Sequence, residues 1–170
     1  IRDSDSIIDS PTNSATSSGA PNQVAANYPL WNPLDKDSGY STSNGNLTLV
    51  ASSAARCKTT MTIPTGKWYL EITINDLNNG GTVGIIPQNK PLGRSGGSND
   101  IGTDSDEYGL YVQSANGNKF NNGSRTSYGG ALATGNVIMI ALDFSGADGS
   151  KAIYFGLNGN YNPPMGAAYI

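Results

Sequence analysis

The stretch TIPTGKWYLEITI, residues 62–74, decides how the rest of the chain is read. A proline–glycine turn opens it, and aliphatic and polar residues then alternate. Trp68, Leu70, Ile72 and Ile74 fall on one face, with Lys67, Tyr69, Glu71 and Thr73 on the other. A period of two is the signature of a strand buried on one side. The same pattern returns in GNVIMIALDF (135–144), which puts Ile138, Ile140, Leu142 and Phe144 on one face. It returns again in AIYFGLNGN (152–160), through Ile153, Phe155 and Leu157. The turn SGADGSK between the last two makes them a hairpin. Trp68, Leu70, Ile72, Ile140, Leu142 and Phe155 are the expected core.

Outward from these, SNGNLTLVAS (43–52) carries an Asn-Gly hairpin signal before Leu47 and Leu49. ARCKTTMTI (55–63) alternates loosely, and GTVGIIP (81–87) and EYGLYVQ (107–113) are short strands. No segment of useful length has a helical period, so the class is all-β. Strands with one aliphatic face pack as two antiparallel sheets over a single core. The expected architecture is a jelly-roll-like β-sandwich over residues 30–170, preceded by an extended N-terminal arm.

That arm, residues 1–29, is rich in Ser, Asn, Asp, Ala and Pro, with Ile7, Ile8 and Val24 as its aliphatic anchors. So little apolar area does not offset the entropy of ordering it alone. The start IRDSDSIIDS has neither the basic region nor the apolar core of a signal peptide, and an internal fragment of a longer polypeptide is expected.

The 170 residues include 22 glycines, and only 14% are charged, which suits short strands joined by turns. A net charge of −3 argues against nucleic acid as a partner. No run of 18 apolar residues exists to insert in a membrane. The chain has no histidine, which excludes imidazole-based nucleophilic catalysis. Cys57 is the sole cysteine, so no intrachain disulfide or thiolate zinc site is available, and it reads as a small strand residue. Glycoside hydrolysis would need two carboxylates facing one groove. Glu71 is the only acid within a strong strand, and Asp76, five residues on, falls on the opposite face. Glu71 therefore reads as a sheet-face residue bonding a Lys, Arg or Tyr.

The irregular stretch 88–106 runs for about 19 residues, long for a loop inside a compact domain. Its acidic end, DIGTDSDE (100–107), invites a Ca²⁺ reading but lacks the spacing of a calcium-hand loop, and a solvated loop is the expectation. No metal site and no cofactor is expected. Recognition loops favour Tyr, Asn, Ser, Gly and Arg. On that palette the candidate binding residues are Asn89, Lys90 and Arg94, and then Asn121, Asn122, Arg125 and Tyr128 in FNNGSRTSYGG (120–130).

The order GKWYLEITI, TVGII, EYGLYVQSANGNKF, YGGALATGNVIMIALDF and KAIYFGLNGN resembles the blocks of SPRY domains across about residues 45–160. The resemblance rests on Gly66, Trp68, Tyr69, Glu71, Val83, Gly84, Tyr108, Gly109, Gly135, Val137, Asp143, Phe155, Asn158 and Gly159. Two departures are Asn136, where an acidic residue often stands, and the end at NPPMGAAYI, where another strand normally follows. WNPLDKDSGYSTSNGNLTL (31–49) and the preceding DSPTN (9–13) further resemble the version found in large virion-associated proteins of tailed phages. The resemblance implies a bent two-sheet sandwich making protein or glycan contacts without chemistry. The implied role is a binding or structural module of a tail, fibre or capsid-surface component. It would belong to a larger assembly in the extracellular particle, with host glycan or other virion proteins as partners. The other readings are a structural domain docked through its arm, a glycan-cleaving sandwich enzyme, and a cellular SPRY adaptor gripping short peptides.

Overall fold

A computed structural model describes residues 29–52, 56–77, 80–92, 100–112, 117–147 and 151–161. These form two compact units, the first ending at Thr62 and the second beginning at Ile63. All regular structure among them is antiparallel β.

In the first unit, β1 (Trp31–Lys36) pairs with β4 (Cys57–Thr59), with an irregular register, and β2 (Tyr40–Ser43) pairs with β3 (Thr48–Ala51). The β2–β3 turn uses the expected Asn-Gly signal. Asn44, Gly45 and Asn46 all have positive φ, a conformation that Asn and Gly tolerate best. Leu34, Leu47 and Val50 of this unit are exposed.

The second unit is a two-sheet sandwich. One sheet has the order β11 (Ala152–Leu157), β10 (Val137–Phe144), β5 (Gly66–Thr73). The other runs β6 (Gly81–Ile85), β7 (Tyr108–Val112), β8 (Asn118–Asn121), β9 (Ser124–Ser127). Ile138, Ile140, Leu142, Ile153 and Phe155 from the first sheet share one cluster with Leu110 and Val112 from the second, joined by Ile74 and Leu132. Leu70 and Ile72 pack against it half-buried. The β10–β11 hairpin is in continuous register from Ile138 opposite Leu157 to Asp143 opposite Ala152. Asn136 closes the turn before β10 itself, its side-chain oxygen accepting the Ala133 amide at 2.8 Å, so the neutral residue fills that position.

Trp68 corrects the expected core. It lies opposite Leu142 on the inward row, but it sits near the start of β5 and is 37% exposed. Its indole N–H donates to Thr65 O at 2.7 Å, which holds the ring over its own turn instead of under the second sheet.

The sequence FNNGSRTSYGG reads as a recognition loop, and the structure makes it the hairpin β8–β9. Asn122 and Gly123, both with positive φ, form its turn. Every residue of β9 is exposed, so Ser-Arg-Thr-Ser lacks the apolar alternation by which a strand is recognised.

Candidate binding surface

Register assigns the outward side of the four-stranded sheet. Gly84, Gly109, Phe120 and Arg125 lie in one cross-strand row, and Thr82, Tyr111, Asn118 and Ser127 in the next. The segment 100–107 folds onto this face. A Cβ on Gly109 would stand 2.2 Å from the Ile101 carbonyl oxygen, so only a residue without a side chain admits the loop backbone there. Gly102, at φ +108, likewise lies against the Phe120 backbone. The Ile101 amide donates to Thr82 Oγ1 at 2.7 Å, tying the loop to β6. Phe120, outward in the strand pattern, is thereby 5% exposed.

Glu107 organises the loop from within. Its side chain is fully buried, and Oε2 accepts the amides of Gly102 and Thr103 at 3.1 Å and of Asp104 at 3.4 Å. A buried carboxylate is tolerated only when such donors replace its water. The carboxylate side chains around it are also engaged. Lys90 Nζ bridges Asp104 at 2.7 Å and Asp106 at 2.8 Å, and these carboxylates, Asp104 foremost, hold the ammonium pKa above its ordinary value. Arg125 pairs with Asp100 at 2.8 Å, and its guanidinium carbon stands 3.8 Å from the Tyr111 ring centroid and 4.9 Å from that of Phe120. Segment 100–107 is therefore a packed element of the fold, which corrects the expectation of a solvated loop. Among the described residues no group of three or more His, Cys, Asp or Glu is arranged to hold a metal.

Most of the candidates chosen from sequence meet at this loop, and they meet it as supports. Lys90 and Arg125 pair with its acids. Asn121 Nδ2 donates to the carbonyls of Ser105 at 3.0 Å and Glu107 at 2.7 Å, and the Asn122 amide donates to Asp104 O at 3.2 Å. Asn89 is exposed in the turn closed by the Lys90 amide on Pro87 O. Arg94 lies outside the described residues. Tyr128 is elsewhere: its hydroxyl accepts the Phe155 amide at 3.3 Å on β11, and its ring meets Phe155 edge-on at 6.2 Å. Asp100 and Glu107 bound the acidic stretch that the sequence offers as a solvated loop, and their roles as the partner of Arg125 and the internal anchor come from the structure. Nothing in the sequence marks Glu107 as buried, because a buried carboxylate is written with the same letter as a solvated one.

Two other groups fall out of consideration for chemistry. Burial pushes the Cys57 thiol up to about 11, so it stays protonated near neutrality and is a poor nucleophile. Glu71 is exposed and accepts the Tyr69 hydroxyl at 2.5 Å, the tyrosine contact expected of a sheet-face residue.

No family model matches the sequence, and no curated protein matches it. Among solved structures, a crystal structure of the TRIM65 PSpry domain superposes with a TM-score of 0.60 at 18% identity, over 74% of this chain and 70% of that one. The fold is SPRY-like. It is an all-β architecture with the sandwich expected from the block order.

Proposed function

We propose that the chain is a non-enzymatic binding module whose SPRY-like sandwich presents the 100–107 segment and the β8–β9 hairpin to a partner. One observation carries this reading: a fully buried Glu107 fixes the loop from inside, while Ser105, Asp106, Asn122, Gly123 and all of β9 face solvent. A loop ordered in advance loses little entropy when it binds, and that favours recognition. The resemblance of residues 9–13 and 31–49 to phage virion proteins supports a virion setting, in a tail, fibre or capsid-surface component, with a host glycan or another virion protein as partner. A non-catalytic role is supported by the carboxylates themselves, since those of the loop are committed to Lys90, Arg125 and backbone amides.

The test is binding of the 170-residue chain to candidate host cells and a panel of their surface glycans. Ser105→Arg and Asn89→Arg add bulk at exposed positions without removing a bond that holds the loop. Saturable binding that drops at least about tenfold in Ser105→Arg supports recognition through this surface. Binding unchanged in both variants contradicts it. If the folded chain binds no cell or glycan, the weight moves to structural docking within an assembly, which the exposed Leu34, Leu47 and Val50 of the first unit favour.

A further inference from the structure

The outward face of the β11–β10–β5 sheet is built differently. Tyr69 stands opposite Ala141, and Ala141 opposite Tyr154, so two tyrosines flank an alanine across three strands. Their neighbours along each strand, Leu70, Ile140 and Leu142, Ile153 and Phe155, belong to the core or pack against it, which sends these three side chains outward. With strands about 4.8 Å apart, the tyrosine backbones are roughly 10 Å apart. A flat group stacked on both sides needs about 7 Å. The next row is Glu71, Met139, Gly156, and the Tyr161 ring lies over Gly156, where an added Cβ would meet it at 2.9 Å. On the other side the row ends in the Lys67–Asp143 pair at 3.1 Å.

Two features of this trough lack their complement. The Glu71 carboxylate is exposed, and among the described residues its partner is the Tyr69 hydroxyl, with no cation beside it. The hydrogen bond to Glu71 pushes the Tyr69 phenol up to about 12, so the hydroxyl keeps its proton and remains a donor to the carboxylate. The Tyr161 hydroxyl is buried without a hydrogen-bond partner among the described residues, and burial first, then the Glu71 charge, holds its pKa above the ordinary phenol value. Tyrosine faces attract cations, and a guanidinium both stacks on rings and binds a carboxylate.

We propose that this trough receives a cationic side chain, an arginine above all, from a partner polypeptide. The guanidinium lies over Ala141 between Tyr69 and Tyr154 with its charge against Glu71. The surface is separate from the 100–107 loop and does not depend on that loop's role.

The test is a nuclear magnetic resonance titration of the isotopically labelled full chain with the capped peptide Gly-Arg-Gly. Its uncharged counterpart Gly-Gln-Gly and a neutral methyl glycoside run in parallel. The expected result is saturable shifts at the amides of Tyr69, Ala141 and Tyr154 with the arginine peptide, weakened about fivefold by Glu71→Gln. Tyr154→Ala, at an outward position, should weaken them comparably. Glu71→Gln alters an exposed side chain, and its unperturbed spectrum elsewhere would show the fold intact. The proposal is overturned if these amides do not respond, if the glutamine peptide or the glycoside moves them equally, or if Glu71→Gln leaves the affinity unchanged. Shifts confined to residues 100–107 overturn it too.

Discussion

The two sheets of the sandwich share one core but treat their outer faces in opposite ways. On the four-stranded sheet, glycine at 109 leaves a slot, the chain lays its own segment 100–107 there, and Glu107 holds that segment from within. On the three-stranded sheet, the equivalent positions carry Tyr69, Glu71 and Tyr154, and Tyr69 is 55% exposed. The first face has satisfied its charges with itself. Among the described residues, the second keeps a carboxylate without a cation and rings without a stacking partner. A list of exposed-looking polar residue types does not separate these cases; the register and the hydrogen bonds do.

The contrast can be broken most severely at Glu107. Replacing it with Ala strands the amides of Gly102, Thr103 and Asp104, each costing on the order of 1–3 kcal/mol if left unpaired and buried. With partial relaxation, chemical denaturation should show a loss of about 3–5 kcal/mol. A loss below about 1 kcal/mol would return the segment to the class of ordinary surface loops. Gly109→Ala comes next, because its Cβ would press the Ile101 carbonyl. Overpacking of this kind costs about 1–3 kcal/mol, and calorimetry should find a lowered Tm. Trp68→Ala ranks third, at about 1–2 kcal/mol, since the ring is only partly removed from water. A loss equal to that of a fully buried aromatic such as Phe155 would show the ring seated in the core after all.

The open face should respond weakly in stability and clearly in titration. Tyr69→Phe should change stability by less than about 0.5 kcal/mol. In the unaltered chain, ultraviolet titration compared with Tyr69→Phe should show the Tyr69 phenol ionising at about 12, and Glu71→Gln should lower that step. The sign follows from linkage. Folding favours the protonated phenol, so this contribution is whole below the unfolded value near 10 and fades as pH rises through the folded one. Asp143 has the opposite dependence. Its hydrogen bonds from Ser145 and then the Lys67 contact hold its pKa below the ordinary carboxylate value. Its small contribution is whole above about pH 4 and is lost as the pH falls through that lower native value.

Much of the fold was legible in the sequence because both strands of the β10–β11 hairpin, and β5 beside them, alternate with period two, which ties each side chain to a face. The Asn-Gly pairs at 44–45 and 158–159 marked turns in advance for the same local reason, positive φ. What stayed hidden depends on contacts distant along the chain. Strand β9 has no apolar residue, and only pairing with β8 makes it a strand. Trp68 has the inward parity, yet parity does not tell how near the end of a sheet a residue lies. Residue type drew attention to Asn121 and Arg125, while their role as supports of 100–107 comes from Glu107 and Asp100, 14 and 25 residues away.

Hydrogen exchange at the amides of Gly102, Thr103 and Asp104 tests the central claim most directly, namely that segment 100–107 is a fixed part of the sandwich governed by Glu107. In the unaltered chain, Gly102 and Thr103 should be protected to nearly the extent of Ile140 and Leu142 in β10, with Asp104 somewhat less so. All three should lose most of that protection in Glu107→Gln, while β10 keeps its own. Exchange of Gly102 and Thr103 at the rate of an open loop in the unaltered chain would contradict the account.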